Sequence, residues 1–122
     1  MNKNIKESLN NLIKVIQETG EYSAFKSVEK LWTEAKDSQK LFNDFLEDRQ
    51  TLQIFKQGNF PGLEEQKFKV KELYDRVNKD KVIRDWMDAQ DKYQQFIWEQ
   101  ADYLTVELGY SFSPKPRGGC CG

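Results

Sequence analysis

The residues best suited to chemistry are crowded into one short stretch. Cys120 and Cys121 stand side by side in GGCCG and are the only two cysteines among 122 residues. A disulfide between neighbours is strained relative to normal disulfide geometry. In an extended chain their side chains point to opposite sides, so gripping one metal ion requires a turn, and Gly118, Gly119 and Gly122 supply the freedom for one. Lys115 and Arg117 lie nearby with no acid after Glu107, which favours the thiolate. Two thiolates still make only half of a tetrahedral thiolate site or a four-cysteine cluster, so the other ligands would come from a second copy or another protein. On these residues alone three readings stand: a metal or cluster ligand pair, a redox or oxidation-sensitive handle, and a tail without chemical role. Lipidation is weakly supported, because CCG is not a C-a-a-X ending and no polybasic run precedes it.

Elsewhere the chemistry is thin. The chain has no histidine, which removes Ser-His-Asp and Cys-His machinery, imidazole zinc sites and the Glu-x-x-His motif of di-iron bundles. No glycine-rich phosphate loop occurs. Carboxylates alternate with lysines, as in NKDKVIRDWMDAQDK, the pattern of a solvated helix face. Asp48 is the one oddity, since it projects close to the apolar stripe of its helix; a residue bonded across a helix seam is the expectation there. Catalysis by this chain alone is not expected.

Composition sets the broader limits. One domain and one modest core fit this length. Charged residues make up 32% and aromatics 13%, a mixture that suits amphipathic helices and not a disordered chain. A net charge of -1 provides no positive field to collect phosphates, so direct nucleic-acid binding is not expected. No apolar run approaches the roughly 20 residues of a membrane span, and polar residues break the apolar stretches of MNKNIKESLNNLIKVIQ, so no signal peptide is read there. The expectation is a soluble cytoplasmic protein whose thiols stay reduced.

Helical periodicity runs through the sequence and predicts an all-α bundle of about four or five helices. Ile5, Leu9, Leu12 and Ile16 share one face of a first helix that Gly20 stops. Phe25, Val28, Trp32 and Ala35 stripe a second, with Leu31 on its flank. Asp37 or Ser38 is read as the N-cap of a third, striped by Leu41, Phe45, Leu52 and Phe55. The turn QGNFPG leads to a fourth from about Leu63 to Val77, and a break over residues 78–80 precedes the longest. That last helix keeps Val82, Trp86, Ala89, Tyr93, Phe96, Ile97, Gln100 and Leu104 on one face and ends at Gly109. Residues 1–109 thus form the helical domain, and 110–122 a short flexible Gly/Pro/Cys tail.

Roughly 28 residues of helix measure about 42 Å, whereas a compact domain of this size has a radius of gyration of about 14 Å. The last helix must therefore protrude, and a second subunit is the simplest cover for its apolar face. Met87 and Trp98 lie off the main stripe, about three turns apart on the other side. They read either as contacts to internal neighbours or as an interface with a partner or second subunit.

The order of these parts resembles the YlbF/YmcA family of small helical bacterial regulators. The resemblance covers residues 3–108 or so. It rests on Glu21, Tyr22, Phe25 and Lys26 within LNNLIKVIQETGEYSAFKSVEKLW, on the acidic-start helix DSQKLFNDFLEDRQTLQ, and on the Ala89-Gln90 pair of NKDKVIRDWMDAQDKYQQFIWEQADYL. It implies a non-enzymatic regulator that forms homo-oligomers, or a mixed complex of YlbF-like, YmcA-like and YaaT-like proteins. The implied roles are competence, sporulation, biofilm formation and RNA maturation through the endoribonuclease RNase Y, an indirect partner. The family also implies a cofactor, an iron–sulfur cluster shared with another subunit, to which Cys120 and Cys121 correspond by position. Family tails of the YlbF-like kind are longer and carry several spaced cysteines, whereas this one has a single adjacent pair. The expectation is a cytoplasmic regulator that assembles through its last helix, with Met87 and Trp98 at the interface. The alternatives are a purely structural homo-oligomer and a thiol-redox protein.

Overall fold

The computed structural model describes residues 1–109, and Cys120 and Cys121 lie outside them. Five α-helices and no strand occur among the described residues: α1 (Lys3–Gln17), α2 (Gly20–Glu34), α3 (Lys36–Gly58), α4 (Leu63–Lys79) and α5 (Lys81–Leu108). The class is all-α, as the periodicity predicts. α3 packs along α4, and α2 packs along α5. Both pairs are antiparallel, because Phe45 meets Tyr74 while Asp48 meets Gln66 in the first, and Tyr22 meets Tyr93 while Trp32 meets Trp86 in the second.

Two single-residue breaks define the architecture. Ala35 ends α2 and begins α3, and Asp80 ends α4 and begins α5. At the first break the side chain of Gln39 reaches back from α3, and its amide donates to the carbonyls of Trp32 and Thr33 at the end of α2. That bond satisfies acceptors a helix end leaves open. At the second, the Asp80 carboxylate accepts from the Ile83 backbone N–H at 3.0 Å, an N-cap bond for α5. Its other oxygen accepts from the Ser38 hydroxyl at 2.8 Å, across 42 residues of sequence. One carboxylate thus caps a helix and ties the two breaks together.

The core gathers around this joint. Phe45, Val77 and Ile83 are buried, with Trp32, Leu41, Phe42, Leu46, Val70 and Leu73 packed against them. Ile83 is fully enclosed, at 0% exposure. It stands one residue after Val82, which the stripe of the last helix predicts in that role. α5 meets α2, α3 and α4 at this end, so its inward face is wider there than one stripe.

Several expected boundaries shift for local reasons. Asp37 and Ser38 do not cap α3, which begins at Lys36 without a side-chain cap bond. Ser38 is instead buried and spends its hydroxyl on Asp80. Gly20 opens α2, and the break before it belongs to Thr19, whose hydroxyl accepts from the Tyr22 N–H at 3.2 Å and donates to the Ile16 carbonyl at 2.6 Å. The seam bond expected at Asp48 is made by its carbonyl, which accepts from the buried Gln66 amide at 2.9 Å. The α3–α4 turn places Asn59 and Gly62 at positive φ, and Gly109 closes α5 at φ 70° in the left-handed C-cap the sequence predicts.

Removing the joint tests this reading. Asp80→Ala is expected to lower stability by about 2 kcal/mol, combining the lost cap with an unpartnered Ser38 hydroxyl, and Ser38→Ala by about 1 kcal/mol. In urea melts the double variant should fall short of the sum, because both remove one shared bond.

Candidate functional site

The surface that distinguishes this chain is α5 and what α2 does and does not cover of it. α2 is 15 residues long and α5 is 28. The seam between them is a column of rings. Tyr93 stacks on Phe25 at 4.6 Å and meets the edge of Tyr22 at 6.2 Å. Phe25 stacks on Trp86 at 5.6 Å, and Trp86 lies nearly parallel to Trp32 at 5.7 Å. Trp32 then meets Phe42 of α3 edge-on at 6.1 Å, which carries the column into the core. Such pairs add about 0.5–1.5 kcal/mol each beyond the area they bury.

Beside the rings, α2 and α5 leave an open apolar groove of about 280 Å³. Ala24, Val28 and Ala89 form part of its lining, and Glu21, Asp85, Asp88 and Lys92 contribute charged side chains. Lys26 bonds Glu29 at 2.8 Å and sits 5.7 Å from the Tyr22 ring centre. The Glu29 carboxylate, through that hydrogen bond and its charge, holds the lysine above its ordinary pKa. The ion pair is solvent-exposed, so it adds little to stability.

The residues expected at an interface fall on one side of α5. Met87 is exposed and Trp98 half-buried. Neither belongs to the ring column, which uses Trp86 and Tyr93. Trp98 lies beyond Tyr93, where α5 has passed the first turn of α2. Ala89 is half-buried and borders the groove, while Gln90 lines a shallower hollow beside Phe25 and Tyr93. The resemblance motif thus maps onto the α2–α5 seam: Tyr22 and Phe25 from α2 face Ala89 and Tyr93 from α5.

A family model described as control of competence regulator ComK, YlbF/YmcA, matches residues 5–108. The chain belongs to the YlbF/YmcA family. The match spans all five helices nearly end to end, so the family signature is the helical domain itself. Comparisons with curated proteins and with solved structures found no match. The family is regulatory by its description. Among the described residues no grouping of three or more His, Cys, Asp or Glu side chains is placed to hold a metal ion, and no helix is long and apolar enough to cross a membrane. For the cluster that the resemblance implies, the donor set of Cys120 and Cys121 fits half of a four-thiolate site.

Sequence reasoning missed Tyr22 as a packing residue on the stripe of α2, and it missed Ala24. Tyr22 sits three residues before Phe25, the i,i+3 spacing that places it on the same face. Phe25 holds the seam from both sides, so Phe25→Ala is expected to cost about 2–3 kcal/mol. Thermal melts should show the loss, and near-UV circular dichroism from Trp86 and Tyr93 should weaken with it.

Proposed function

We propose that this YlbF/YmcA family member is a non-enzymatic cytoplasmic regulatory adaptor, which self-associates and joins a larger protein complex through α5. The observation that carries this reading is the mismatch of α2 and α5: the long helix continues well past the one packed along it. An adaptor needs a rigid element that presents side chains beyond its own core, and α5 does so at Trp98 while Met87 stands exposed on the same side. The family description supports a place in control of the competence regulator ComK. The proposed partners are a second copy and YmcA-like and YaaT-like proteins, with RNase Y reached through the complex and with sporulation and biofilm formation among its outputs.

In this reading Cys120 and Cys121 supply two thiolates of an iron–sulfur cluster whose remaining ligands come from another subunit. The support is chemical: two adjacent cysteines flanked by glycines can turn toward one cluster, but they complete only half its ligand set. Histidine is absent, which removes imidazole-based acid–base and nucleophilic machinery from the alternatives.

Two experiments test the parts separately. Trp98→Ala should weaken assembly by about thirtyfold in sedimentation while far-UV circular dichroism stays unchanged, and an unaltered sedimentation profile would remove Trp98 from the interface. Anaerobic co-purification with candidate partners should yield iron and sulfide that the double Cys120→Ser, Cys121→Ser variant lacks. Equal iron content in the variant would end the ligand assignment.

A further inference from the structure

Among the described residues, the first helix has an apolar face left largely exposed, with Ile5, Leu9, Leu12 and Ile13 open and Ile16 half-buried. Ile5, Leu9, Leu12 and Ile16 recur at steps of four, three and four, with Ile13 beside them, yet α1 contributes no buried residue. Among the described helices its backbone comes close to α2 alone. A helix of 15 residues is marginal in water without a packed face.

A second, partly covered surface of the same length lies at the far end of α5. α2 starts beside Tyr93, so residues 94–108 of α5, also fifteen, run on past it. The stripe that buries Trp86 and Tyr93 against α2 continues there as Phe96, Ile97, Leu104 and Leu108. Phe96 and Ile97 are half-buried, and Leu104 and Leu108 are exposed.

We infer that α1 of one copy lies on residues 94–108 of α5 in a second copy, and reciprocally, in a two-fold exchange of arms. The inference rests on the self-association proposed above and names the surface that performs it. Charge selects this pairing. α1 carries Lys3, Lys6 and Lys14 against Glu7, whereas residues 94–108 carry Glu99, Asp102 and Glu107 and no cation. Pairing α1 with α1 would oppose like charges, while α1 on α5 joins opposite ones.

Area agrees. The accessible surface is 9794 Å², and a folded monomer of this mass exposes about 6,800 Å². The excess is what helices running out from a small core expose. A standard interface takes about 800 Å² from each partner. A membrane surface is the poorer occupant. α1 lacks the aromatic residues that seat interfacial helices, and its three lysines share the polar side with Glu7, Ser8 and three asparagines instead of forming a basic row.

A charge-exchange experiment on the full chain tests the pairing by sedimentation equilibrium. Lys6→Glu with Lys14→Glu, and separately Glu99→Lys with Glu107→Lys, should each weaken self-association by about tenfold or more at low salt. Mixing the two variants should restore it, because each arm then meets an opposite charge. Leu9→Gln with Leu12→Gln should give a loss on the order of tenfold with helix content retained, since neither leucine is buried in the chain. If the wild type self-associates and the arm variants do so equally well, the arm exchange is overturned while assembly through α5 stands. Loss in both charge variants without rescue on mixing also overturns it. A wild type that is monomeric throughout overturns both readings, and one that instead sediments with phosphatidylcholine–phosphatidylserine vesicles assigns α1 to a membrane surface.

Discussion

The Asp80 carboxylate is the point on which the rest of the molecule depends. It starts α5 by capping Ile83, and it holds the start of α3 through Ser38. Because each break is a single residue, the directions of α3 and α5 are set there, with no loop to absorb an error. The core is small and sits at this joint. The helices can therefore run outward from a fixed centre, and the chain presents long, stiff surfaces at modest cost in buried area. Ordering a long helix is worthwhile only if something packs on it, since conformational entropy opposes every residue fixed.

That geometry accounts for the family's regulatory character better than any pocket does. The groove between α2 and α5 is lined by Ala24, Val28 and Ala89 with the rings of Phe25 and Tyr93, and by the charged Glu21, Asp85, Asp88 and Lys92. What the fold offers instead is contact surface: the overhang of α5 and the uncovered face of α1. In both, apolar side chains recur at helical spacing, which is how one helix addresses another.

Most of the fold was legible in the sequence because helical periodicity is a local signal. Five helices, the turn at QGNFPG, a break near residues 78–80 (which falls at Asp80, after α4 runs on through Lys79) and the cap at Gly109 follow from residues within a turn or two of each other. The bonds that set the joint were not legible in the same way. Ser38 looks like an N-cap on local grounds, and only its distance to Asp80, 42 residues away, shows why it is buried instead. Ile83 was displaced by Val82 for a related reason: a stripe assigned from one neighbour misses a position that faces three. Asp48 was correctly placed at a seam, but the sequence could not say that its carbonyl, not its carboxylate, would bond to Gln66. For the site, the protruding helix was readable from length alone, whereas the open face of α1 was not. Its stripe has the same pattern as a stripe packed in a core, and only the tertiary arrangement leaves it uncovered.

The central claim is that surfaces left open within one chain are closed by another. Hydrogen exchange of the α1 backbone, followed by mass spectrometry across protein concentration, measures this directly. A 15-residue helix with no buried side chain has little protection of its own. The account predicts that amides of residues 5–17 exchange slowly at high concentration and lose that protection on dilution, while α3 and α4 around Phe45 and Val77 stay protected throughout. Fast exchange of α1 at every concentration, beside an unchanged core, would contradict it.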